Sequence, residues 1–87
     1  MEVECDTLAQ VADALAGGAD RILLDNMTLD ELTRSVALVA GRLPLEASGG
    51  VSLETVGDIA RTGVDFISVG ALTHSARSLD VSMEVIR

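Results

Sequence analysis

Lysine, tryptophan and tyrosine are absent from these 87 residues, and phenylalanine, histidine, proline and cysteine occur once each. With Phe66 as the lone aromatic, any core must be built from Leu, Val, Ile and Ala, a palette suited to layered α/β packing. All six cations are arginines, scattered as Arg21, Arg34, Arg42, Arg61, Arg77 and Arg87, against a formal net charge of −8. A nucleic-acid partner needs a clustered basic face, so that class is excluded. A lone Cys5 rules out an internal disulfide and fits a reducing, cytoplasmic setting. No apolar run reaches the roughly 18 residues of a membrane-spanning helix. The acidic start Met1-Glu2-Val3-Glu4 is unlike a secretory signal, which opens basic and then turns apolar. A hydrophobic content of 48% excludes disorder, and the length allows one small domain.

What is present is a repeat. Val3 to Cys5 opens as a short strand. Thr7 then caps a helix whose expected apolar stripe is Leu8, Val11, Ala12 and Leu15, closed by Gly17-Gly18. Arg21 to Asp25 forms a second strand. Thr28 with Glu31 makes a capping box for a helix carrying Leu32, Val36 and Val39, ended by Gly41. Pro44 precedes a third strand, Leu45 to Ala47. Ser52 and Thr55 open a third helix with Leu53, Val56, Ile59 and Ala60 inside, and Phe66 to Val69 is the fourth strand. Strand ends at residues 4, 25, 48 and 70 give a period of about 22 residues, the size of one βα unit. Successive βα units imply parallel strands with right-handed crossovers. The alternation of Val81, Met83 and Val85 with Ser82, Glu84 and Ile86 suggests a further strand in the tail.

Parallel sheets bind ligands at the carboxyl ends of their strands, which sets Glu4, Asp25, Ser48 and Gly70 on one rim. Glu4 and Asp25 either cap the following helices or hold a hard divalent cation, since magnesium takes one or two carboxylates together with phosphate oxygens. Ser48-Gly49-Gly50 and Ser68-Val69-Gly70 serve either as tight turns or as a pair of phosphate cradles, because glycine lets backbone N–H groups approach an anion closely. Glu46 shares a strand face with Ser48, as Glu2 does with Glu4. Should that face turn inward, Glu2, Glu4, Asp25 and Glu46 would crowd negative charge with no cation of this chain expected beside them. His74 is expected in a loop, either solvated or donating to a phosphate. Cys5 is expected as a packed thiol.

Five ordered motifs carry a resemblance along the whole chain. They are Glu2-Val3-Glu4-Cys5, Leu23-Leu24-Asp25-Asn26-Met27, Leu45-Glu46-Ala47-Ser48-Gly49-Gly50-Val51, Thr62-Gly63-Val64-Asp65-Phe66-Ile67-Ser68-Val69-Gly70 and Ala71-Leu72-Thr73-His74-Ser75. In these the chain resembles the quinolinate phosphoribosyltransferases of NAD biosynthesis, also called nicotinate-nucleotide pyrophosphorylases (carboxylating). The resemblance implies an α/β fold: a parallel (βα)4 half of a TIM-like barrel over residues 1–80. It also implies a C-terminal strand over residues 81–87 that packs on an N-terminal domain not contained in this sequence. It implies that Glu4 and Asp25 engage the ribose and magnesium of phosphoribosyl pyrophosphate. Ser48, Gly49, Gly50, Ser68 and Gly70 would then surround the 5′-phosphate, with quinolinate as the second substrate. Family members carry their basic substrate-gripping residues outside this stretch. The expectation is therefore a fragment inactive alone, which self-associates or pairs with the other half of the barrel. The alternative expectation is a non-catalytic half-barrel that acts as an interaction module.

Overall fold

The computed structural model describes residues 1–70 and 72–77. Its elements run β1 (Glu2–Cys5), α1 (Leu8–Ala16), β2 (Arg21–Asp25), α2 (Leu29–Val39), β3 (Leu45–Ser48), α3 (Val56–Arg61), β4 (Phe66–Val69) and β5 (Leu72–Ser75). They form one five-stranded sheet in the order β1-β2-β3-β4-β5. The first four strands are parallel, as the βα period predicts, and β5 returns antiparallel along β4. The sheet does not close on itself.

Capping chemistry explains where the first two helices begin. The Gln10 N–H donates to Thr7 Oγ1 at 3.2 Å, and Gln10 Oε1 accepts from the Asp6 N–H at 2.7 Å. Thr28 and Glu31 form a reciprocal box, with the Glu31 N–H on Thr28 Oγ1 at 3.1 Å and the Thr28 N–H on Glu31 Oε1 at 2.9 Å. α2 ends at Ala40, a left-handed residue with φ +52, before Gly41 at φ +77. α3 starts later than its apolar spacing suggests. Ser52 and Thr55 bond each other, the Ser52 N–H donating to Thr55 Oγ1 at 3.1 Å, so the segment between them is a polar turn with Leu53 in solvent. The stripe of α1 also shifts, burying Val11 and Ala14 while Ala12 faces water.

The core lies between the helices and one face of the sheet. Cys5, Ile22, Leu24, Leu45, Ala47 and Ile67 point into it from the strands, and Val11, Leu32, Val39, Val56 and Ile59 meet them from the helices. Residues directly paired across the ladder share a face, so the rows Cys5–Leu24–Ala47–Ile67 and Val3–Ile22–Leu45 are the helix-facing rows. Among the described residues, α1, α2 and α3 all pack on this face and none on the opposite one.

Leu72 to Ser75, expected as a loop, is a strand because its backbone completes the β4 ladder from Val69–Leu72 to Phe66–Ser75. The tail strand expected over 81–87 lies outside the described residues. Among the described residues, no helix is long and apolar enough to cross a membrane.

Truncating Leu24, which is fully buried, is expected to cost about 2–5 kcal/mol in urea denaturation. A cost below 1 kcal/mol would show that the helix-facing row is not the core. Cys5 is likewise fully buried, and burial pushes its thiol pKa up, with Asp6 and Asp13 raising it further. The folded chain thus retains a proton that the unfolded chain releases. Cys5 contributes stability that is present below the ordinary thiol range and lost as pH rises through the raised value. Cys5→Ala should remove that alkaline slope in a pH series of denaturation midpoints.

Candidate functional site

Strand alternation sends every second residue onto the open face, and the parallel register sorts those residues into layers. At the bottom Glu2 pairs with Arg21. In the middle Glu4, Leu23, Glu46 and Phe66 lie side by side, continued by Ser75. At the top, at the carboxyl ends, Asp25 pairs with Ser48. Carrying the β3–β4 register one residue further sets Ser48 beside Ser68, which pairs with Thr73. The open face is therefore polar throughout its upper rim.

Asp25 and Ser48 are half-buried, and Ser48 Oγ donates to Asp25 Oδ1 at 3.4 Å. Gly49 and Gly50 follow with φ +80 and +70, a conformation that turns the chain sharply away from the strand and suits glycine. No side chain fits at Gly49, where a Cβ would lie 2.6 Å from Asp25 Oδ1 and 2.8 Å from the Asn26 nitrogen. Gly70, at φ +62, opens the turn from β4 into β5. Asp25, Ser48, Gly49, Gly50 and Ser68 thus converge on one rim, with Gly70 at its β4 end.

Two predicted residues sit elsewhere. Glu4 is exposed on the edge strand and is one layer below Asp25, because β1 runs on through Cys5 and Glu4 is in register with Leu23. His74 pairs with Ile67 and so occupies the helix-facing side of β5, opposite the face of Asp25 and Ser48. Among the described residues no group of three or more histidine, cysteine, aspartate or glutamate side chains forms a ready-made metal cluster. The Asp25 carboxylate at the rim still fits magnesium, a hard cation that completes its shell from water and phosphate oxygens.

The crowding of acids on this face is real, but the expectation that they lack a cation is corrected. Arg21 lies among them. Its Nη2 donates to Glu46 Oε1, its Nε stands 3.6 Å from Glu2 Oε2, and its guanidinium carbon lies 4.6 Å from the centre of the Phe66 ring. Thr73 Oγ1 donates to the second oxygen of Glu46 at 3.3 Å. Glu46 is 7% exposed, so these two contacts are what make its burial tolerable. The signal was available in parity: Arg21 and Asp25 are four apart in one strand and therefore share its face. Phe66 and Thr73 joined the cluster only through the β3–β4 and β4–β5 pairings.

A family model described as "Quinolinate phosphoribosyl transferase, C-terminal domain" matches residues 1–84. Among curated proteins, the chain is 45% identical over 85 residues to a probable nicotinate-nucleotide pyrophosphorylase (carboxylating) of Bacillus subtilis, covering 98% of the chain and 29% of that protein. It is 44% identical over 100 residues to the chloroplastic enzyme of the same name from Arabidopsis thaliana, again covering 98% and 29%. The crystal structure of nicotinate-nucleotide pyrophosphorylase from Ehrlichia chaffeensis aligns with a TM-score of 0.75 and 45% identity, over 77% of this chain and 24% of that one. The fold is accordingly a segment of a TIM-like α/β barrel. The chain spans less than a third of the length of these relatives.

Arg21→Leu leaves Glu46 buried without its cation and is expected to cost about 1–3 kcal/mol in urea denaturation, discounted for the partial exposure of the arginine. Replacing both residues with leucine should recover much of that loss. An Arg21→Leu chain as stable as the parent would show that the pair does not support the face.

Proposed function

The chain belongs to the quinolinate phosphoribosyltransferase C-terminal domain family, and from that premise we propose that it carries the magnesium- and ribose-phosphate-binding part of a site for phosphoribosyl transfer to quinolinate. In that reaction the pyridine nitrogen of quinolinate bonds to C1 of the ribose of phosphoribosyl pyrophosphate. The C1–oxygen bond breaks with its electron pair leaving on pyrophosphate. The 2-carboxylate departs as carbon dioxide, its bonding electrons returning to the ring, which then takes up a proton to give nicotinate mononucleotide. The observation that supports this reading is the convergence of Asp25, Ser48 and Ser68 in one layer at the carboxyl ends of neighbouring strands.

Ser48 and Ser68 donate hydroxyl protons to the 5′-phosphate, and the turn at Gly49 and Gly50 brings backbone N–H groups within reach of its oxygens, with Gly70 closing the other side. Asp25, with Glu4 one layer below, holds the ribose hydroxyls and lends negative charge where positive charge develops at C1. Magnesium, held by Asp25 and Glu4, would neutralise charge on the departing pyrophosphate. His74 has no part in this scheme.

Both substrates are strongly anionic and the chain's formal charge is −8, so Coulomb repulsion opposes binding unless cations come from elsewhere. We therefore assign the chain to part of a half-barrel that is inactive alone and completed by association with a basic partner segment or in an oligomer. A cytoplasmic setting is in keeping with the buried thiol of Cys5. The unclosed sheet favours a second reading, a non-catalytic module whose edge strands pair with another half-barrel.

A chimera separates the two readings. With this chain in place of the aligned segment of the Bacillus subtilis relative, quinolinate-dependent pyrophosphate release is expected, and Asp25→Asn should lower kcat by about 100-fold or more. The isolated chain should release none. A folded chimera without activity would favour the module, and an active one indifferent to Asp25→Asn would remove Asp25 from the site.

A further inference from the structure

Asn26 stands between the two halves of the rim. Its φ of +57 is in the left-handed region that residues other than glycine avoid and asparagine tolerates best. Among the described residues the other such residue, Ala40, terminates a helix, where that conformation is a common ending. Asn26 ends no helix. It follows Asp25 directly and turns the chain at the point where Gly49 turns the neighbouring one. Between these turns the Asn26 N–H donates to the Ser48 carbonyl at 2.8 Å, a ladder bond carried past the last paired residues. The contact is close. A Cβ at Gly49 would stand 2.8 Å from the Asn26 nitrogen and 3.2 Å from its Cα, and one at Gly50 would stand 3.5 Å from Asn26 Oδ1.

We infer that Asn26 is a positioning residue that clasps the Asp25 end of β2 to the Ser48-Gly49-Gly50 turn, so that the cation carboxylate and the phosphate cradle are held as one rigid unit. It acts through its backbone conformation and its hydrogen bond to Ser48, touching neither ligand. The inference rests on the rim assignment above and adds to it that one residue outside both binding groups governs both.

The test uses the 87-residue chain labelled with ¹⁵N, at high salt to screen its formal charge of −8, and two separate titrations followed by amide shifts, inorganic phosphate in metal-free buffer and magnesium in phosphate-free buffer. Ser48→Ala should weaken phosphate alone, and Asp25→Asn magnesium alone. Asn26→Val, a β-branched side chain forced to a positive φ, should weaken both by about tenfold while the amides of α1 and β1 keep their shifts. Asn26→Asp, which tolerates the same backbone conformation, should stay within about twofold of the parent for both. A merely structural residue would not give paired losses rescued by the conservative variant with the rest of the sheet undisturbed. Should Asn26→Val not fold, Asn26→Ala decides, since alanine carries a milder penalty at the same positive φ and should weaken both ligands in parallel by less than valine. Losses confined to one ligand, or equal for aspartate and valine, overturn the clasp and leave the rim assignment standing. No saturable binding of either ligand by the parent chain overturns the rim assignment and the clasp with it.

Discussion

The register between neighbouring parallel strands is the constraint on which the rest of this molecule depends. Strands of four or five residues leave little room for error, because a slip of one residue would exchange the two faces entirely. As paired, Cys5, Leu24, Ala47 and Ile67 form one row under the helices, while Glu4, Leu23, Glu46 and Phe66 form the adjacent row on the opposite side. The apolar rows drive the helices onto the sheet, and burying them is what fixes the alignment. The polar rows then inherit their order. Asp25, Ser48 and Ser68 meet because Leu24, Ala47 and Ile67 are packed beneath them.

That inheritance carries an electrostatic cost, since a face left for binding collects carboxylates from three strands. Arg21 offsets part of it by tying Glu2 and Glu46 together over the Phe66 ring. Glu4 and Asp25 have no such arginine contact among the described residues, and they lie nearer the rim. The face is therefore neutralised at its foot and left negative at its mouth. This gradient is consistent with chemistry that develops positive charge on a sugar while anions are steadied by metal and backbone N–H groups.

Much of this architecture was legible in the chain itself. The Thr28–Glu31 box, the glycines after each helix and the recurring strand ends gave the βα period, and local hydrogen bonding explains why each signal held. The failures share one cause, which is that non-local pairing decided the outcome. Glu4, expected level with Asp25, lies one layer lower because the β1–β2 ladder pairs it with Leu23. His74, expected in a loop, lies in a strand because Leu72 to Ser75 pair with the edge of β4. Arg21, 25 residues from Glu46, is joined to it only across the β2–β3 ladder. Proximity of that kind is a property of the sheet, and no window along the chain contains it.

The pairing of Arg21 with Phe66 has a practical consequence. Lacking tryptophan and tyrosine, the protein is almost transparent near 280 nm, so the usual optical reporters of folding and binding are missing. Its one benzene ring stands in the same layer as Glu4 and Glu46, directly under a guanidinium. The proton resonances of that ring overlap with no other benzene ring in the chain, and its ring current falls on the arginine above it. The polar face thus carries a built-in magnetic label at the residue best placed to sense its charge.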